Sequence, residues 1–144
     1  MSFFESWSHH IANLLVGGTG VVYAWFLYGM TSDDPYSVVN HPLQPHAQHL
    51  HVLFAPLLVF VVGYSWRRHI GPRLRLPGLR GYASGLELAL SLVPMVVSGY
   101  LIQIAVDLGW RQIWVIVHLA ASVLWIAGYL VHQLRARKTR AGSS

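Results

Sequence analysis

Two histidines, His118 and His132, stand fourteen positions apart in a segment that otherwise holds apolar and small residues and one serine. In a helix that rises about 1.5 Å per residue, this separation spans roughly 21 Å, and steps of about 100° bring the second residue to within some 40° of the first. The two imidazoles therefore share one face of the predicted helix. Because imidazole binds transition metals and forms hydrogen bonds, the spacing predicts two separate ligand or hydrogen-bonding sites on one helix.

The chain contains no cysteine and nine histidines. Without cysteine it has no c-type haem attachment, no cysteine-ligated iron–sulfur cluster, no thiolate zinc site and no disulfide. Histidine is therefore the main soft metal ligand that this sequence offers.

The composition indicates a membrane protein. Of the 144 residues, 54% are hydrophobic and only 10% are charged, and the mean hydropathy is +0.46, whereas soluble domains usually carry about a quarter charged residues. Four apolar segments, at about residues 7–30, 45–68, 82–106 and 110–134, each exceed the roughly 20 residues that cross a bilayer core. We therefore predict an all-α, membrane-embedded four-helix bundle, formed by residues 1–144 as a single domain, with its first span retained rather than cleaved.

Basic residues lie mostly on one side of these spans. Five arginines fall between the second and third spans and four basic residues follow the fourth, which makes nine of the ten: Arg67, Arg68, Arg73, Arg75 and Arg80, then Arg135, Arg137, Lys138 and Arg140. The positive-inside rule predicts that this side, and with it both termini, is cytoplasmic. The other side carries Asp33, Asp34, Asp107 and Arg111. Topology and anionic lipid headgroups explain the pI of about 10.0, so no nucleic-acid partner is expected.

Further histidines lie at the start of the first span, on the predicted inner side, and of the second span, on the outer side: His9 and His10, then His46, His49 and His51. These two groups match the depths of His132 and His118. A haem iron that is held by two imidazoles takes one histidine from each of two facing helices. The arrangement therefore predicts two haems, one in each leaflet.

The same pattern resembles the four-helix dihaem b-type cytochromes, which include the membrane subunits of formate dehydrogenases and nickel–iron hydrogenases and the bacterial cytochrome b561 proteins. The resemblance rests on H-x13-H in the fourth span and on histidines at the inner start of the first span and the outer start of the second. It covers nearly the whole chain in topology. It implies that His118 pairs with a second-span histidine at the outer haem, and His132 with a first-span histidine at the inner haem.

Two of the four ligands have alternatives. Either His9 or His10 supplies the first-span ligand, and His10 is taken as the iron ligand in the predicted set of His10, His51, His118 and His132. In the second span His51 is favoured because it lies deepest and level with His118, and His49 is the alternative.

Small residues form one stripe along the first span by their three-to-four spacing: Asn13, Gly17, Gly20 and Ala24. Such a stripe allows close helix packing and leaves room for a flat macrocycle, so we expect it to face inward. Pro56 and Pro94 interrupt backbone hydrogen bonding within the second and third spans, which predicts a kink or local widening near each.

Glu87 lies about six residues into the third span, where an unpaired carboxylate costs roughly 2.5 to 3.5 kcal/mol. It is expected to be protonated or paired, and its depth is that of His132 and of His9 or His10. We therefore consider it for proton exchange with a quinone, with a structural hydrogen bond as the alternative.

The sequence predicts a subunit of a larger oxidoreductase complex that transfers electrons across the membrane, through two b-type haems, between menaquinone or ubiquinone and a partner protein. By analogy with the family, the partner is another redox subunit on the periplasmic side, and the location is a bacterial inner membrane. Two alternatives are a membrane anchor without haem and a divalent-metal transporter that uses the outer histidine cluster.

Overall fold

The computed structural model describes residues 3–78 and 81–141, with side chains described as far as residue 135. Arg80, which contributes to the predicted orientation, lies outside the described residues, and so do the side chains of Arg137, Lys138 and Arg140.

All regular secondary structure in the described ranges is helical, which confirms the all-α prediction. The α-helices are α1 (Phe3–Ala24), α2 (Gln44–Ser65), α3 (Gly71–Leu74), α4 (Tyr82–Ile104) and α5 (Leu108–Ala141). α1 and α2 each end in a π-helical turn, at Trp25–Gly29 and Trp66–Ile70.

Four helical segments are long and apolar enough to cross a membrane: Phe3–Gly29, Gln44–Leu74, Tyr82–Ile104 and Leu108–Arg135. They coincide with the four predicted spans, although the first begins earlier and the second extends further than the sequence predicts. Many of their large hydrophobic side chains are exposed, as is expected for surfaces that face lipid tails. These properties are those of a multi-pass membrane protein.

The sequence predicts a kink or local widening at the two prolines, and the structure shows no widening there. α2 and α4 continue as α-helices through Pro56 and Pro94, and the widened turns lie instead at the ends of α1 and α2. A proline removes only one backbone hydrogen bond, and local adjustments in a membrane helix compensate for that loss without a change of helical period.

The chain divides after Arg68 into two compact units, each of which is an antiparallel helical hairpin. The first unit packs α1 against α2 and buries Ala12, Val16, Leu58 and Val61. Its basic end is the end at which α1 begins and α2 is followed by Arg67 and Arg68. Its acidic end holds the connection from α1 to α2, with Asp33 and Asp34.

The second unit packs α4 against α5 and buries Met95, Ala121 and Trp125 together with the serines of α4. Its basic end, at which α4 begins, holds Arg73 and Arg75, and α5 reaches this end with Arg135. Its acidic end holds Asp107, whose carboxylate accepts the backbone N–H of Trp110 at 2.8 Å and so caps the first turn of α5.

Candidate histidine sites in the two hairpins

In the second hairpin, His132 of α5 contacts the first turn of α4. Its Nδ1 lies 3.0 Å from Oγ of Ser84, and that hydroxyl lies 3.1 Å from the carbonyl oxygen of Gly81, to which it donates. Because the hydroxyl proton is used on the carbonyl, Nδ1 of His132 donates to the hydroxyl. In the neutral ring the lone pair is therefore on Nε2, which is a metal-binding nitrogen of imidazole.

His118 makes the corresponding contact nearer the acidic end of the same hairpin. Its Nδ1 donates to the carbonyl oxygen of Met95 at 2.9 Å and lies 3.3 Å from Oγ of Ser98. A carbonyl oxygen only accepts hydrogen bonds, so the proton is on Nδ1 and the lone pair is again on Nε2. A metal-bound histidine normally donates its second ring N–H to such an acceptor.

The α4 residues that receive these two histidines repeat at the spacing of the histidines themselves. Ser84-Gly85 and Ser98-Gly99 are fourteen positions apart, as are His132 and His118. Each glycine lies beside a ring: a Cβ on Gly99 would stand 3.0 Å from Cε1 of His118, and a Cβ on Gly85 would stand 4.0 Å from Cε1 of His132. This pattern, S-G-x12-S-G opposite H-x13-H, was not among the predicted features, although it is readable without a structure.

In the first hairpin, His51 of α2 lies against α1. Its Nδ1 donates to the carbonyl oxygen of Val16 at 3.0 Å, so its lone pair is also on Nε2. A Cβ on Gly20 would stand only 2.9 Å from Cε1 of the ring. Because residue 20 has no side chain, the imidazole can reach the carbonyl of Val16, which lies one turn before Gly20 in α1.

The other histidines of the predicted outer group differ from His51 in their surroundings. His46 and His49 are exposed, whereas His51 is half-buried against α1. His41 stacks on the ring of Phe26 with a centroid distance of 4.3 Å and accepts the backbone N–H of Leu43 at 3.1 Å. Of His41, His46, His49 and His51, only His51 donates to a backbone carbonyl of the neighbouring helix, as His118 does.

At the basic end of the first hairpin, His9 and His10 face different directions on α1. His9 faces α2, and its Nε2 lies 2.8 Å from Oγ of Ser65, a residue with no exposed surface. His10 is half-buried, about 100° further around the helix, with its ring 6.0 Å from that of Trp7 in an edge-on arrangement. It begins the predicted stripe of small residues at helical spacing, and a Cβ on Gly17 of that stripe would meet nothing within 4 Å.

Glu5 is a polar residue of this region that the sequence analysis missed. It is only 4% exposed, on the face of α1 that packs against α2, and one of its oxygens lies 3.8 Å from Nη1 of Arg68. It precedes His9 by one helical turn, so the two residues share a face. A charged residue four positions before a histidine at the start of a span was the available signal.

Glu87 lies within the second hairpin, between α4 and α5. Both of its carboxyl oxygens are buried and neither has a hydrogen-bond partner among the described residues. A Cβ on Gly128 of α5 would overlap Oε2 of Glu87, so the carboxyl occupies a space that only glycine leaves. Gly128 precedes His132 by one turn. The carboxyl of Glu87 is therefore about one turn deeper in the span than His132, whereas the sequence predicted the same depth for both.

His69 lies beside His132, with 6.5 Å between the ring centroids and the planes nearly perpendicular. No group of three or more histidine, aspartate or glutamate side chains that could hold a metal ion occurs among residues 3–78 and 81–135.

The chain matches no protein-family model, no characterised protein and no solved structure in the three comparisons that were made. The class that the structure itself defines is an all-helical, multi-pass membrane protein with histidines at two levels of its spans.

Proposed function

We propose that this protein is a dihaem b-type cytochrome subunit that carries electrons across a membrane between a quinone pool and a partner redox protein. The observation that carries the proposal is the state of three histidines within the spans. His51, His118 and His132 each donate their Nδ1 proton to an acceptor on the neighbouring helix of their hairpin, which leaves the lone pair on Nε2.

The donor set fits a haem that is held by two imidazoles. An Nδ1–H that is fixed by a carbonyl or hydroxyl acceptor orients the ring and raises the basicity of Nε2, as in known metal sites. A glycine beside each ring keeps the ring close to the neighbouring helix. When bound, two b-type haems would supply a pair of one-electron carriers.

Within each hairpin, these groups occur at two levels along the helices. In α5 the levels are those of His118 and His132, and in α2 they are those of His51 and Ser65, which holds His9. Fourteen residues separate the two levels in both helices, which corresponds to roughly 21 Å. This spacing supports one haem near each membrane surface, and the pairing of His51 with His118 and of a first-span histidine with His132 stays a prediction.

For the first-span ligand we propose His10 rather than His9. The Nε2 of His9 lies within hydrogen-bonding distance of Ser65, inside the contact between α1 and α2. This contact gives His9 a structural role of a common type, a polar link between two membrane helices. His10 lies on the stripe that contains Asn13 and Gly17, and a Cβ on Gly17 would meet nothing within 4 Å.

Glu87 is the residue that we propose for proton exchange with quinone. Quinone reduction and oxidation move protons together with electrons, so the site needs a group that can hold a proton within the membrane. An ionisable side chain in a span is expected to be functional, because its burial is costly. The absence of a protein partner for either oxygen within the described residues supports a role toward a ligand over a structural hydrogen bond.

The proposed membrane orientation and the proposed assembly of the four spans rest on the sequence. We propose that the four spans form one bundle in a bacterial inner membrane, with both termini in the cytoplasm on the arginine-rich side. The acidic end would then face the periplasm and a partner redox subunit. The exposed basic residues that follow α2 would lie beside lipid headgroups.

The experiment that tests the proposal is a haem count on the full chain purified in detergent. We expect the absorption of a six-coordinate b-type haem, with a Soret band and a sharpened α band on reduction, and close to two haems per chain in a pyridine haemochrome assay. A colourless protein that carries zinc would replace the proposal with the transporter alternative. A colourless protein without metal would replace it with the anchor alternative.

A further inference from the structure

We infer that Ser84 is a positioning residue whose hydroxyl links Nδ1 of His132 to the carbonyl of Gly81 and thereby sets the orientation and basicity of His132 as an iron ligand. The inference rests on the proposed function. It adds a residue that the sequence pattern of the ligands does not contain.

One backbone geometry recurs three times in the two hairpins. A glycine lies four residues after a backbone carbonyl. Because the glycine has no side chain, a histidine side chain of the neighbouring helix can approach that carbonyl. The pairs are Val16 with Gly20, Met95 with Gly99, and Gly81 with Gly85. At the first two, the imidazole donates directly to the carbonyl, at 3.0 Å from His51 and 2.9 Å from His118.

The third case differs because a hydroxyl stands between the ring and the carbonyl. The proton of His132 goes to Ser84, and the proton of Ser84 goes to Gly81. Gly81 has a backbone φ of 85°, a left-handed conformation that favours glycine. The relay therefore joins the fourth span to the residue that immediately precedes α4.

Ser84 is also the only hydrogen-bond partner of the His132 imidazole in the part of the chain that the structure describes. It is 5% exposed, so water does not replace it readily. At His118, by contrast, the Met95 carbonyl holds Nδ1 whether or not Ser98 is present. Loss of the hydroxyl should therefore matter at residue 84 and matter little at residue 98.

The basicity of the ligand follows from the same relay. Donation of the Nδ1 proton makes the ring more electron-rich and stabilises ferric over ferrous iron, so removal of the acceptor should raise the reduction potential of that haem. Removal of the acceptor also frees the ring to rotate, and loss of such an outer contact typically lowers metal affinity about 10- to 100-fold.

The test compares four variants of the full, haem-loaded chain: Ser84→Ala, Ser84→Thr, Ser98→Ala and Ser91→Ala. Ser91 is the matched control, because it lies on α4 seven residues from both other serines, is 5% exposed and donates only to its own helix, at Leu88. The measurements are haem transfer to an excess of an apoglobin and an optical redox titration. Repetition in the His118→Ala background isolates the haem that is assigned to His132.

For Ser84→Ala we expect one of the two haems to transfer about 10- to 100-fold more readily, and its potential to rise. A tenfold shift in its reduction equilibrium would correspond to about 59 mV. Ser84→Thr should keep the haem retention and the reduction potential of the wild type, because it keeps the hydroxyl. Ser98→Ala should change haem retention less than about tenfold. Ser91→Ala should match the wild type.

The inference is overturned if Ser84→Ala, at two haems per chain, retains haem and titrates as Ser91→Ala does. That result leaves the proposed function intact. A wild-type chain without haem overturns the proposed function itself, and the two failures are therefore distinguishable.

Discussion

The imidazole of His51 occupies the space that a side chain on residue 20 would need, since a Cβ on Gly20 would stand 2.9 Å from Cε1 and 3.0 Å from Nδ1 of the ring. This contact joins the two helices of the first hairpin and directs the Nδ1 proton to Val16. A glycine on α1 therefore determines where the imidazole of a histidine on α2 can lie.

Substitution of Gly20 by alanine should therefore displace His51. The added methyl group would force the ring away from the Val16 carbonyl, and we expect the affinity for the haem assigned to His51 to fall about 10- to 100-fold. Haem content and retention by the purified chain measure this effect. Gly18→Ala is the control, because a Cβ at residue 18 meets nothing within 4 Å, and alanine in place of glycine within a helix adds up to about 1 kcal/mol of stability. Equal haem loss in both variants would contradict the assignment.

His118→Ala and His132→Ala should each remove one haem and leave the other. The two residues are fourteen positions apart on α5, and their imidazoles contact different turns of α4, so neither substitution removes the contacts of the other. Pyridine haemochrome counts should fall from two haems to one in each variant. His49→Ala, which changes an exposed residue of α2, should keep both. A variant of His118 or His132 that keeps two haems would show that the residue is not a ligand.

The comparison of His10→Ala with His9→Ala separates the two candidates on α1. We expect His10→Ala to lose one haem. His9→Ala should keep both haems and lose only the link to Ser65, at a cost of about 0.6 to 2 kcal/mol for a polar contact between membrane helices. Haem content and thermal unfolding in detergent report the two effects separately, and the reverse outcome would assign the iron to His9.

Glu87→Gln should leave the haem spectra unchanged and slow quinone turnover. Glutamine has nearly the shape of glutamate, so it should fit the space beside Gly128, but it does not exchange a proton. The measurement is reduction of a soluble quinone analogue, or oxidation of its quinol, by the haem-loaded chain. Turnover equal to that of the wild type would return Glu87 to a structural role.

Gly128→Ala should destabilise the second hairpin, because its Cβ would overlap Oε2 of Glu87. Extra volume in a packed interface typically costs about 1 to 3 kcal/mol. We expect this loss in thermal or denaturant unfolding, and we expect the additional change Glu87→Ala to relieve it. Gly63→Ala is the control, since a Cβ at residue 63 meets nothing within 4 Å. An unchanged stability of Gly128→Ala would contradict the close contact.

Hydrophobic run lengths alone predicted the four spans, because the thickness of a bilayer sets the length of an apolar helix. The structure confirms these elements, with boundaries moved by a few residues, and the fourteen-residue spacing of His118 and His132 is likewise a property of one helix. The choice of His51 over His49 was reached from depth and stays a prediction; in the structure His51 is half-buried and His49 is exposed.

What the tertiary structure decided is how neighbouring helices are aligned. The sequence contains Ser84, Gly20 and Gly128, but only the packing of one helix on another brings them to His132, His51 and Glu87. The burial of Glu5 and the contact of His9 with Ser65 have the same origin. The physical reason is that periodicity fixes which residues share a face of a helix, whereas contacts across helices depend on the register at which side chains of both helices pack, and no single segment encodes that register.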